Sequence, residues 1–163
     1  MKNILFYIVA VVAIVGGVIW LARPGQDAPI DPTTTIISAL TSTENQYDFG
    51  TISMANGNVN KVFTVTNNSA DPALIEKIYT SCMCTSAKLK IGDKNLGPFG
   101  MPGHGIVPKV NQTLDPSKSA QIEVIFDPNA HGPAGVGPIE RVVFVEEKGR
   151  QPLELTIKAM VTP

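Results

Sequence analysis

From Tyr47 to the end of the chain, apolar and polar positions alternate with a period of two. Leu153, Leu155, Ile157, Ala159 and Val161 are interleaved with Glu154, Thr156, Lys158 and Met160. Ala120, Ile122, Val124 and Phe126 are interleaved with Gln121, Glu123, Ile125 and Asp127, and Ala87, Leu89 and Ile91 with Ser86, Lys88 and Lys90. Successive strand side chains point to opposite faces, so each run reads as a strand with one buried face. Further strands are predicted at 47–52, 59–66, 74–79, 106–113 and 141–147. They are separated by the turn formers Asn56-Gly57-Asn58, Asn67-Asn68-Ser69, Asp115-Pro116 and Lys148-Gly149. Seven to eight short strands in about 115 residues, with no helical window among them, predict an all-β fold, an immunoglobulin-like antiparallel β-sandwich.

The N-terminus follows a different pattern. Between Ile4 and Leu21, 16 of 18 residues are hydrophobic and none is charged. As a helix this run rises about 27 Å, close to the hydrocarbon thickness of a bilayer. Trp20 lies at its outer end and Tyr7 in its inner turn, as interfacial aromatics do. Lys2 and the free amino group favour a cytoplasmic N-terminus. The run is longer than the core of a cleaved signal peptide, and Trp20-Leu21-Ala22 is a poor cleavage site. Residues 1–22 are therefore expected to form one N-terminal transmembrane helix, an uncleaved signal anchor. Residues 23–45, with Pro24, Pro29, Pro32 and runs of threonine, are expected to be a flexible tether, and 46–163 the sandwich. That arrangement puts the domain on the extracytoplasmic side of a bacterial cell membrane.

Composition narrows the remaining classes. Thirteen basic against fourteen acidic residues, a net charge of −1, leave no cationic surplus for a phosphate backbone, so no nucleic-acid partner is expected. The mean hydropathy of +0.13 is largely a property of the anchor. Without the first 22 residues, roughly 38% of the chain is hydrophobic, ordinary for a soluble domain. Two cysteines are too few for a disulfide-dense scaffold, and His104 and His131 are too few for a site built mainly on imidazole. Between Gly97 and Pro138, seven glycines and seven prolines fall in 42 residues, which predicts long loops at 97–108 and 128–138.

Several segments occur in a recognisable order: Tyr47-Asp48-Phe49-Gly50, then Phe63-Thr64-Val65-Thr66-Asn67-Asn68, then Ile78-Tyr79-Thr80-Ser81-Cys82-Met83-Cys84-Thr85, then 114–126 with Asp127-Pro128, and the final strand. This order resembles a bacterial exported or membrane-tethered family catalogued as domain of unknown function 1573, whose hallmark is Ser-Cys-Gly-Cys-Thr. The resemblance spans about residues 47–161. It implies an immunoglobulin-like module similar to the major-sperm-protein and Hydin group, and brings no established activity. Met83 stands where the hallmark has glycine, and 97–108 reads as an insertion.

Cys82 and Cys84 are the sharpest chemical feature, and three roles compete. They are small buried hydrophobes, or a Cys82–Cys84 disulfide, or ligands of a soft metal. In an extended strand their Cα atoms would lie about 6.5–7 Å apart, at the limit of bridging, so a bridge needs a tight turn and is easily reduced. A metal site would recruit Met83, Met101 and His104, a Cys/Met/His set that suits Cu(I), or Zn(II) if the thioethers are excluded. Otherwise no cofactor is expected. A hydrolase would need His104 or His131 beside a cysteine, and a thiol oxidoreductase normally uses Cys-x-x-Cys at a helix N-terminus. Neither pattern is present locally. The expectation is a non-enzymatic envelope interaction module, held to the membrane by its N-terminal helix. A protein partner would meet a sheet edge or the two loops, with copper binding or thiol redox chemistry as the alternative.

Overall fold

The computed structural model describes residues 36–104 and 107–163. The anchor expected at 1–22 and the tether as far as residue 35 lie outside the described residues. Among the described residues, no helix is long and apolar enough to cross a membrane.

Among the described residues, ten strands form two five-stranded sheets. In chain order they are β1 (Leu40–Ser42), β2 (Gln46–Ser53), β3 (Val59–Asn67), β4 (Ala73–Thr80), β5 (Thr85–Ile91), β6 (Lys94–Phe99), β7 (Gln112–Leu114), β8 (Ser119–Phe126), β9 (Gly137–Glu147) and β10 (Leu153–Thr162). One sheet runs β1-β3-β8-β5-β6 and the other β2-β10-β9-β4-β7. The alternation read from the sequence is the burial pattern observed. Ala120, Ile122, Val124 and Phe126 of β8 face inward, as do Leu155, Ile157, Ala159 and Val161 of β10. Between the sheets they meet Phe63, Val65, Ile75, Ile78, Leu89, Val143 and Val145, all 1% exposed or less.

The sandwich differs from the expected one in three respects. Its described residues form ten strands, not seven or eight, because short edge strands such as β1 and β6 carry little periodic signal. β1 lies inside the segment read as tether, with Leu40 1% exposed. β6 lies in the Gly/Pro-rich stretch; it is an edge strand, where a proline costs no ladder bond. The strand expected at 106–113 is reduced to β7, and just before it Asn111 turns to φ 45°. Finally, the second sheet is mixed. β2 pairs parallel to β10, with a register shift between Lys158 and Met160. A parallel pair needs a long crossover, and here almost the whole sandwich intervenes.

Two polar devices secure the end of the molecule where the chain enters the sandwich. Glu147, 3% exposed, accepts hydrogen bonds from the Ser38 hydroxyl and from the N–H groups of Ala39 (3.3 Å) and Leu40 (3.2 Å). Arg150 Nε lies 3.9 Å from the same carboxylate, and its Nη1 donates to the Ile37 carbonyl. Asn67, fully buried, donates to the Asp71 and Leu114 carbonyls and accepts from Ser69. Buried polar groups of this kind must be paired, and here they are.

Three of the connections between the sheets lie at the opposite end. β2 leads to β3 through 54–58, β4 to β5 through 81–84, and β8 to β9 through 127–136. The registers bring these connections together. Phe126, the last residue of β8, pairs with Val59 of β3 on one side and with Thr85 of β5 on the other.

Candidate functional site

The sheet-changing connection at 81–84 contains both cysteines. It is a β-turn, closed by the Thr85 N–H donating to the Cys82 carbonyl at 3.1 Å. The turn is held on every side. Thr80 Oγ1 lies 3.0 Å from the carbonyls of both Cys82 and Thr85. Ser81 exchanges two bonds with Val142 of β9, one from its N–H and one to its Oγ. The Asp127 N–H donates to the Cys84 carbonyl, tying the turn to the loop after β8.

The turn changes what the Cys-x-Cys spacing does. On a strand the two sulfurs would stand well apart, whereas the reversal brings Cys82 Sγ and Cys84 Sγ to 2.7 Å with both cysteines unbridged. Cys84 is 3% exposed and belongs to the core; Cys82 is half-buried against it. Two further side chains complete the cluster. His131 Nε2 lies 3.3 Å from Cys82 Sγ, and Arg141 Nε donates to Cys84 Sγ at 3.2 Å.

Each partner is positioned by local structure. His131 ends a turn in which Asp127 Oδ1 accepts from the Asn129 N–H and the Gly132 N–H donates to the Asn129 carbonyl. Asn129 also donates to the Met54 carbonyl, so the connection at 54–58 supports the histidine loop. Arg141 projects from β9, one residue before the Val142 that anchors Ser81, and its Nη1 is held by the Glu140 carbonyl.

The surroundings separate the two thiols electrostatically. Burial alone would push the Cys82 thiol up. Hydrogen bonds from the Cys84 side chain and backbone, another from His131, and the field of Arg141 outweigh it and bring Cys82 down from 9.0 to about 7. Cys84 goes the other way. Burial raises it, and its bond to the Cys82 sulfur adds to the rise despite Arg141 and Thr85. One proton therefore leaves the pair readily and the second is retained, as in other closely coupled acids.

Of the residues proposed from sequence, Cys82 and Cys84 come together. Met83, between them, is 52% exposed. The His104 N–H closes a local turn on the Met101 carbonyl, within the loop expected at 97–108. Among the described residues, one group of Cys, His, Asp or Glu places three ligand atoms within 4.8 Å of one another: Cys82, Cys84 and His131. The histidine at the cysteines is thus His131, not His104. Sequence reading also missed Arg141, which no local signal links to the cysteines.

Two facing sheets with a thiol pair at a sheet-changing turn make this an all-β sandwich with a local sulfur site. Residues 40–94, which contain both cysteines, match the family model described as "Protein of unknown function (DUF1573)". The resemblance read from the sequence holds over that segment. No curated protein sequence matches the chain. A protein of unknown function from Porphyromonas gingivalis W83 superposes with a TM-score of 0.53 at 13% identity, covering 78% of this chain and 49% of that one. The secreted serine protease VesC from Vibrio cholerae gives a TM-score of 0.47 at 10% identity, covering 76% and 24%. A PapD-like domain of human CEP192 gives 0.43 at 11% identity, covering 86% and 97%. The chain spans about half the length of the Porphyromonas protein and a quarter of the protease. The first of these likenesses concerns the fold alone.

Proposed function

We propose that the chain is a membrane-tethered, extracytoplasmic immunoglobulin-like module whose working part is a reversible Cys82–Cys84 dithiol. One observation carries this reading: a β-turn at a sheet crossing brings the two sulfurs to 2.7 Å beside an imidazole and a guanidinium. The apolar run at 4–21 supports the tether, and an oxidising compartment is where such a pair would have work.

The chemistry is thiol–disulfide exchange with a disulfide-bearing protein of the envelope. The Cys82 thiolate, half-exposed and with the more acidic thiol, attacks a partner disulfide. A Cys82–partner mixed disulfide forms and one partner thiolate leaves, taking up a proton. Cys84, once deprotonated, attacks Cys82 Sγ. The Cys82–Cys84 bond forms, the mixed disulfide breaks, and the second partner sulfur leaves as a thiol. The chain loses two electrons and two protons, and the partner disulfide gains them. Arg141 assists by stabilising negative charge on Cys84. A ring with one residue between its cysteines is easily reduced, so the same exchange runs readily in reverse, the bridged chain taking two electrons and two protons from a partner dithiol, and the pair suits exchange better than permanent bracing.

The test is equilibration of the full-length chain in glutathione buffers of graded oxidation, with acid quenching, alkylation and mass spectrometry. The expected result is one reversible transition between two free thiols and an intramolecular bridge, with Cys84→Ser trapping glutathione on Cys82. Two thiols that stay free in fully oxidising buffer, or bridges formed only between chains, would overturn the reading.

A further inference from the structure

We infer that the reduced site is a binding site for a monovalent soft cation, Cu(I), held by Cys82 Sγ, Cys84 Sγ and His131 Nε2. The inference rests on the dithiol reading, since only the reduced pair offers two sulfur ligands.

Four observations carry it. The first is convergence: the three ligand atoms lie within 4.8 Å of one another, though His131 is 49 residues from Cys82. The second is rigidity. The cysteine turn and the histidine loop are joined directly, through the Asp127 N–H and the Cys84 carbonyl, so the ligands are not on independent loops. Third is ligand chemistry, because two thiolates and an imidazole favour a soft ion over the hard divalent ones. Fourth is charge. Two thiolates and one Cu(I) carry a net −1, and Arg141, bonded to Cys84 Sγ, brings the cluster to neutrality. A divalent ion would leave that guanidinium beside a neutral centre, so the arginine selects for the monovalent ion.

Exposure suggests how the site is used. Cys84 is buried, Cys82 is half-buried and His131 is exposed. An ion here would be approached from the His131 and Cys82 side and passed on by exchange of those two ligands, while Cys84 stays in the core. Closing on an ion needs the sulfurs to part by about 1 Å, since metal–thiolate bonds are about 2.3 Å long. Rotation of the half-buried Cys82 side chain supplies that movement. Oxidation to the disulfide removes both sulfur ligands, so ion release and disulfide formation are one event.

The experiment is an anaerobic titration of the full-length reduced chain with Cu(I) against a chromogenic chelator, followed by X-ray absorption at the copper edge. The expected result is one ion per chain with two sulfur ligands and one nitrogen. His131→Ala weakens retention by at least about tenfold, as removal of a ligand should exceed the loss from a supporting partner. It leaves the thermal midpoint of the ion-free chain unchanged, and His104→Ala leaves retention unchanged. No ion retained, or equal retention by His131→Ala, or loss with His104→Ala, overturns the assignment. Thiol counting in glutathione without copper separates the two proposals. Reversible bridging with no copper retained sinks this inference alone, and copper retained by a pair that never bridges sinks the exchange reading alone.

Discussion

If hydrogen bonding from Cys84 is what draws the Cys82 thiol down to about 7, its removal should change the pH profile of Cys82 in a characteristic way. In the wild-type chain about half of Cys82 is thiolate at pH 7, against about 1% for a thiol at 9.0. The thiolate fraction falls as pH drops through 7, so alkylation should slow steeply towards pH 5. Cys84→Ala deletes the thiol that bonds to Cys82 Sγ and keeps the backbone N–H bond, the His131 contact and Arg141. A hydrogen bond to a charged group is worth about 1.5–3 kcal/mol, or roughly one to two pH units in the midpoint. With a rise of about 1.5 units, the thiolate fraction at pH 7 falls about 16-fold, and intrinsic nucleophilicity rises about fivefold. The net expectation is a reaction about threefold slower than wild type at pH 7 and about fivefold faster at pH 10. Stopped-flow alkylation with iodoacetamide, mapped by mass spectrometry, reads both limbs. A wild-type midpoint at or above 8.5, or a Cys84→Ala profile that does not cross the wild-type one, would refute the account of the site.

Three further perturbations test the fold around it. Glu147→Ala leaves the buried N–H of Ala39 without its acceptor and that of Leu40 with the Ser38 hydroxyl alone, and should cost about 1–3 kcal/mol in urea unfolding. Unchanged stability would mean that residues 36–40 do not dock as described. Gly97→Ala places a methyl 2.9 Å from the Ala87 carbonyl oxygen at φ +112°, so it should destabilise by about 1–3 kcal/mol and raise hydrogen exchange in β6 before the other strands. Phe63→Ala, at a site 1% exposed between the sheets, should cost about 3–5 kcal/mol. A loss below 1 kcal/mol there would contradict the packing.

The strands that the sequence made legible are those with a strict two-residue period over a buried face. β8 and β10 show it throughout, and their boundaries are close to those expected. β1, β6 and β7 were missed or misplaced because edge strands bury little and tolerate Pro, Gly and Thr. Cys82 and Cys84 stood out through their spacing, yet their geometry did not. Whether two residues apart means a strand or a turn depends on β4 and β5 lying in different sheets. His131 was invisible as a partner for the same reason. Its closeness to Cys82 follows from the Thr85–Phe126 register, a pairing across 40 intervening positions with no trace in local composition. His104, nearer in sequence and next to Met101, was the more natural choice and is not part of the cluster.

The Glu147 clamp has a consequence for how the sulfur site meets the outside world. The clamp fixes residues 38–40 beside Asn67, where β3 ends, whereas the cysteine turn lies beyond Val59, where β3 begins. The eight steps between the nine residues of β3, at about 3.3 Å each, separate these two poles by roughly 26 Å. Residues 38–40 therefore lie at one pole of the sandwich and the thiols at the other. The thiols open at the tip of the sandwich farthest from Ile36, and the span of β3 sets the distance between that residue and the chemistry.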